Sequence, residues 1–175
     1  ASVTIGNSVT FIGYYAFENC SNLDNIYIFD LEAWCNIEFE YSANPLSNGA
    51  NLYLNGNLVK DLVIPDSVTE IGRYAFSNCA NLASVTIGNS VTFISYEAFE
   101  KCSRLTSVII PDKVTKIGFR AFNECSNLTS VTFKDTVGWY WYDYNAGGNI
   151  TIDVTDPAQN AIYLKETYVG DWNKE

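Results

Sequence analysis

A period of 23 residues constrains this chain more than any other feature. Phe76, Phe99 and Phe122 keep that step, as do Cys79, Cys102 and Cys125, and so do Ile64, Ile87, Ile110 and Phe133. The unit reads L-x-x-V-x-I-[GP]-[ND]-x-V-T-x-I-[GS]-x-x-A-F-x-x-C-x-x, and residues 1–22 match it from its second position. A fixed period of this length signals an array in which each unit buries its apolar face only against its neighbours. Phe17 and Phe76 lie 59 apart, two steps plus 13 residues, so one coil, from Leu23 to Leu58, carries an insertion. The next coil opens at Val59. The result is five near-regular coils and one irregular coil, the last degenerating after Phe133.

Within the unit, S-V-T-I alternates like a half-buried strand, with Val and Ile inward. Gly6-Asn7, Gly88-Asn89, Pro65-Asp66 and Pro111-Asp112 then mark a turn. A second short strand follows at V-T-x-I. After it comes a tight stretch whose Ala, Phe and Cys point inward. Cys20, Cys79, Cys102 and Cys125 recur at one place in the coil, which predicts an inward column of buried free thiols. Cys35 lies in the irregular coil.

The unit Leu105-Thr-Ser-Val108-Ile-Ile110-Pro111-Asp-Lys-Val114-Thr-Lys-Ile117-Gly118-Phe-Arg-Ala121-Phe122-Asn-Glu-Cys125 resembles the BspA-like, treponemal-type leucine-rich repeat of surface proteins. The likeness covers residues 1–28 and 59–137. It implies a β-rich, right-handed solenoid with short strands on both faces. It also implies display at the cell surface or outside the cell, and a role in adhesion. Such a family fixes a scaffold and leaves the ligand open.

The insertion carries two local signals. Asp30 stands as N-cap before Leu31, Trp34 and Cys35, which share one face of a short helix. Asn55-Gly56 between alternating apolar residues is a hairpin turn whose second strand leads back into register at Leu62. Residues 1–137 therefore read as the solenoid, with its irregular coil at about 23–58, and 138–175 as a C-terminal strand-helix cap. In the cap, Ile150–Val154 alternates like a strand. Asp156-Pro157-Ala158-Gln159 then opens a helix, with Ala158, Ala161, Ile162 and the Lys165 stem near one face.

Composition narrows the function. The net charge is −10 and histidine is absent, which removes imidazole catalysis and His-ligated zinc. No basic stripe offers itself to nucleic acid, and no apolar run is long enough for membrane insertion. The thiols lack C-x-x-C pairing, and Asp143, Asp153 and Asp156 follow no calcium-loop pattern, so no metal or cofactor is expected. Glu97, Glu100 and Glu124 read as solvated charges rather than a catalytic pair. Asn19, Asn127 and Asn149 begin glycosylation sequons in form.

The expectation is a non-enzymatic recognition or adhesion module that binds a protein or host-surface ligand along a concave strip of strands. Its outward residues are Thr4, Tyr27, Val63, Thr86, Ile109 and Thr132. The apolar anchors are Tyr27, Val63 and Ile109, with Phe29 beside Tyr27 and Asp61 steering a basic partner. A purely structural spacer is one alternative. Another is a carbohydrate-binding segment of a larger secreted enzyme using the Trp139–Tyr144 cluster, in which Trp139 and Trp141 share one face of a strand and Tyr140, Tyr142 and Tyr144 the other. Ala1 begins inside a coil, so upstream repeats and a signal sequence are expected outside this chain, and the exposed strand edge at Ser2–Ile5 suggests self-association.

Overall fold

The computed structural model describes every residue except 144–146 and 169, and only the backbone of Asp143. β1 (Ser2–Thr4) and β2 (Phe11–Ile12) form the first coil. The irregular coil holds β3 (Asn25–Ile28), α1 (Leu31–Cys35), β4 (Glu38–Phe39), a 3-10 turn at Pro45–Asn48, β5 (Asn51–Leu54) and β6 (Asn57–Leu58). Regular coils resume with β7 (Asp61–Val63) and β8 (Glu70–Ile71), β9 (Ser84–Thr86) and β10 (Phe93–Ile94), and β11 (Ser107–Ile110) and β12 (Lys116–Ile117). β13 (Ser130–Phe133) opens the last coil. It is followed by β14 (Trp139–Asp143), β15 (Gly148–Thr151), α2 (Pro157–Ile162), a π-helical turn at Tyr163–Thr167 and β16 (Trp172–Lys174).

Equivalent strands of successive coils pair in parallel. Their register is the sequence period itself: Val108 faces Val131, and Ile94 faces Ile117. First strands form two sheets, β1-β3-β5-β6 and β7-β9-β11-β13; second strands form β2-β4 and β8-β10-β12, the latter extended by β16, β14 and β15. Inside, the Phe76, Phe99 and Phe122 rings stack at 5.3 Å between centroids, with interplanar angles of 12° and 8°. The sulfhydryls of Cys102 and Cys125 donate to the carbonyls of Phe76 and Phe99 at 3.2 and 3.0 Å, each reaching into the preceding coil.

The thiol column is shorter than the sequence suggests. Cys79, Cys102 and Cys125 are buried, but Cys20 is exposed. The cause is local: the 3-10 turn replaces the Ala-Phe-x-x-Cys arc in the irregular coil, so the first coil's Phe17 and Cys20 have no matching rung to stack on. Asn48 instead donates to the Phe17 carbonyl at 2.7 Å. Cys35, the last residue of α1, is buried.

The insertion makes one unforeseen move. Its helix begins at Asp30, whose carboxylate accepts from the Ala33 N–H at 3.0 Å, and its hairpin turns at Asn55 and Gly56, both with positive φ. β5, however, pairs in parallel with β3, Asn25 facing Asn51 and Tyr27 facing Tyr53. The irregular coil thus completes a turn at Asn51 and adds a rung to the first-strand face before the hairpin returns the chain to β7.

At the C-terminal end, polar groups answer the exposed backbone of the last coil. β16 lies antiparallel to β12, Ile117 facing Trp172, in the place a further second strand would take. The Lys165 ammonium donates to the Leu128 carbonyl at 3.0 Å. α2 starts at Asp156, whose side chain accepts from Ala158 and Gln159. Its buried face differs from the expected one, because Ala158 is exposed, Ile162 is 41 % exposed, and Asn160, Ala161 and Leu164 turn inward. The Asn160 amide donates to the Val131 and Val154 carbonyls at 2.9 and 2.8 Å. A polar residue was needed there to satisfy a strand end that has no further coil beside it.

Asn160→Ala should therefore cost about 2–4 kcal/mol, since it strands two buried carbonyls. Ile162→Ala should stay within about 0.5 kcal/mol, as exposed substitutions usually do. Urea unfolding of both variants checks the reversal of what apolarity alone would suggest.

Burial also pushes the Cys35 and Cys79 thiols up to about 12, and raises Cys102, with further help from neighbouring Cys125 and Cys79. A free thiol ionises near about 8.5. Because the folded values lie above the unfolded one, the contribution is complete below about pH 8.5 and is lost as pH rises toward 12. The linkage amounts to about 2 kcal/mol per thiol at pH 10. Denaturant titrations from pH 7 to 10 should show a shallower decline for Cys35→Ala/Cys79→Ala than for the parent; parallel declines would mean these thiols ionise freely in the folded protein.

Candidate functional site

On the first-strand face, inward residues are committed to the core and only alternate positions look out. Two strand registers set the outward row. In one sheet it reads Thr4, Tyr27, Tyr53 and Leu58; in the other, Val63, Thr86, Ile109 and Thr132. Val63 is 64 % exposed and Ile109 53 %, with Thr86 exposed between them. Phe29, just past β3, is 56 % exposed. Asp61 is exposed and accepts from the Ser84 hydroxyl at 2.6 Å, which fixes its carboxylate in the sheet.

Tyr27 does not stand beside Val63 as the sequence suggests. Tyr53 and Leu58 intervene, and the Tyr27 and Tyr53 rings stack at 5.0 Å with 28° between planes. Tyr53 escaped the sequence reading because its segment lies outside the repeat period; a count of the hairpin's alternation would have shown it facing the same way as Leu58. Polar groups tie this region together: Asn51 donates to Asn25 Oδ1 at 3.3 Å, and Asn81 donates to Asn51 Oδ1 at 2.6 Å.

The aromatic cluster of β14 divides as its strand alternation requires. Trp139 is 1 % exposed, packs at 4.9 Å from the Phe133 ring, and donates its indole N–H to the Asp135 carbonyl at 2.9 Å. It belongs to the core and offers no ring to a ligand, which corrects its place among the binding residues. Trp141 is half-buried, 5.0 Å from the Tyr168 ring, and a Cβ at Gly170 would collide with its indole nitrogen at 2.2 Å. Tyr140 and Tyr142 are half-buried on the opposite side of the strand; Tyr144 falls outside the described residues.

Two of the three carboxylates expected to be solvated are at least partly buried. Glu100 is 6 % exposed, with Lys101 at 3.8 Å, and Glu97 is raised by burial first and by Glu100 next. Glu124 alone of the three is exposed. Among the described residues no group of three or more His, Cys, Asp or Glu side chains is arranged to hold a metal ion.

The second-strand face holds exposed aromatics that the repeat consensus left as blank positions. Phe11, Tyr14, Tyr15 and Tyr41 are each more than half exposed. Tyr15 meets Tyr41 edge-on at 6.0 Å, and the Arg73 guanidinium lies 4.8 Å from the Tyr74 ring. Their signal was present: Arg73, Tyr96 and Phe119 recur at the 23-residue step.

A family model described as "BspA type Leucine rich repeat region" matches residues 1–44 and 47–144 in six copies. The chain belongs to the BspA-type leucine-rich repeat family. A leucine-rich cell surface protein from Faecalibacterium prausnitzii is similar over 90 % of this chain and 46 % of its own, at 28 % identity and a TM-score of 0.55. A leucine-rich repeat protein from Eubacterium ventriosum is similar over 75 % of this chain and 41 % of its own, at 26 % identity and a TM-score of 0.51. The chain thus spans less than half the length of either. Comparison with functionally curated proteins gives no match. The match is to an interaction scaffold rather than to a catalytic family. No helix among the described residues is long and apolar enough to cross a membrane.

The Tyr27–Tyr53 stack should contribute beyond the area it buries. A double-mutant cycle with Tyr27→Ala and Tyr53→Ala should return a coupling of about 0.5–1.5 kcal/mol in urea unfolding. Strict additivity would show that the rings merely lie side by side.

Proposed function

We propose that this chain is a non-enzymatic recognition module, secreted or displayed at a cell surface, that binds a protein partner through its first-strand face. The reading rests on one observation. Phe29, Val63 and Ile109 are large apolar side chains left exposed on the first-strand face, where Thr and Ser recur between them. Around them stand the stacked pair Tyr27 and Tyr53 and the oriented carboxylate of Asp61. Interface energy concentrates in such anchors, while the flanking Ser and Thr exclude water. The net charge of −10 would speed encounter with a basic partner more than tighten the complex. Family membership supports interaction as the role, and the Faecalibacterium protein's description as a cell surface protein supports display.

The test is a binding panel of purified extracellular and cell-surface proteins read by biolayer interferometry. For a partner held by the parent chain, Tyr27→Ala or Val63→Ala should weaken binding about tenfold or more, whereas Tyr140→Ala in the C-terminal region should not. Circular dichroism confirms that each variant is folded. Loss confined to Tyr140→Ala would move the interface to the other end of the molecule and overturn the assignment.

A further inference from the structure

The second-strand face is broken where the irregular coil meets the regular ones. Among the described residues β4 pairs only with β2, and β8 pairs with β10. Among the described residues a single backbone join crosses this gap, from the Gly72 N–H just past β8 to the carbonyl of Cys35 at the end of α1, at 3.1 Å. Only glycine allows it, since a Cβ at Gly72 would lie 2.4 Å from that oxygen. Above this join opens a cleft of about 290 Å³. Asn36 and Glu38 line one wall, and Glu70, Arg73 and Ser95 the other.

Three features make this more than a gap. Ser95 is 5 % exposed and lines the cleft. Among the described residues Arg73 donates only to the Tyr74 hydroxyl, at 3.1 Å, lies over the Tyr74 and Tyr96 rings and meets no carboxylate within 4.0 Å, so most of its donors remain free. Phe11, on the strand next to β4 and in register with Glu38, leaves its ring 54 % exposed.

We propose that this cleft binds a neutral saccharide. Its walls alternate donors (Arg73, Asn36, Ser95) with acceptors (Glu38, Glu70, Asn36). A sugar hydroxyl donates and accepts at once and can satisfy such a set. A cationic side chain would face Arg73, and an anion would face Glu38 and Glu70. A wholly apolar ligand would strand all of these polar groups. The Phe11 ring supplies the apolar surface on which the C–H face of a sugar packs. The volume suits one or two sugar units, near the lower end of ordinary ligand sites, with the open side leaving room for the chain to continue. This site is separate from the first-strand face, and neither assignment depends on the other.

Saturation-transfer NMR and calorimetry provide the test. The probes are gluco-, manno-, galacto- and xylo-tetraoses, with a galacturonate tetramer and a lysine-rich peptide as the charged arms. At least one neutral series should bind. Phe11→Ala and Arg73→Ala should each weaken it about tenfold, as expected for a lost ring contact or charged hydrogen bond. Tyr27→Ala should leave it unchanged, and melting curves show that the variants are folded. Conjugating the bound series through its reducing end separates a free oligosaccharide from a glycoprotein branch, and either form supports the site. The assignment is overturned if no neutral series binds at about 10 mM, a range weaker than any specific site warrants. It is equally overturned if only a charged arm binds, or if both cleft variants bind as the parent does.

Discussion

Coil-to-coil registration is the constraint on which the rest of this molecule depends. No coil holds its own interior, so each must present backbone donors and flat rings where the next coil can meet them. This extends beyond the strands. In the arc that carries Phe and Cys, Tyr74, Asn78, Glu97 and Lys101 adopt left-handed backbone conformations, with φ between 53° and 61°. Such a conformation costs a non-glycine residue about 1–2 kcal/mol. Each offsets that cost by turning its N–H toward the next coil: Tyr74 to Tyr96 O, Asn78 to Glu100 O, Glu97 to Phe119 O and Lys101 to Asn123 O, at 2.8–3.0 Å. The arc is irregular by dihedral angle and yet as fully laddered as a sheet.

Wherever that ladder ends, a particular device answers it. At the C-terminal end the Asn160 amide, the Lys165 ammonium and the antiparallel β16 supply donors and a strand to groups that another coil would otherwise meet. Trp139 and Trp172 cover the Phe133 ring in the same way. In the irregular coil, Asn44 does comparable work: it is 2 % exposed, donates to the backbone carbonyls of Tyr74 and Ala75, and accepts from the Leu46 N–H. The Trp34 indole reaches the Ala75 carbonyl at 2.9 Å. The interruption is therefore built into the stack rather than hung from it, and it joins coils that the 23-residue step could not.

This explains which parts were legible in the sequence. Periodic inward residues such as Ile94, Phe99 and Val114 declare the coil because stacking repeats one requirement at one position. Local signals with a chemical mechanism were equally plain: Asp30 as a cap, Asn55-Gly56 as a turn, Asp156-Pro157 as a helix start. What could not be read was anything decided by a neighbour of unlike sequence. The burial of Asn160 follows from two carbonyls, one in distant β13 and one in the loop before its own helix; the exposure of Cys20 follows from an arc replaced in the next coil, and the placement of Tyr53 beside Tyr27 from where an off-period strand docks. Glu100 looked solvated because its coil neighbours, and not its own flanking residues, bury it.

The same logic separates scaffold from function. Inward positions are held by stacking, so their identities say little about what is bound. Outward positions carry no such demand, and a repeat consensus leaves them blank. On the first-strand face they form a shallow row in which Tyr27, Tyr53, Val63 and Ile109 stand above small hydroxyl side chains, a surface fitted to a broad partner. A continuous sheet offers no depth for a small ligand. Depth arises only where the ladder is broken, and the off-period coil breaks it between β4 and β8, exposing polar walls above a glycine floor. An insertion that leaves the core intact can thus add a recess that regular coils, however varied their outward residues, cannot form.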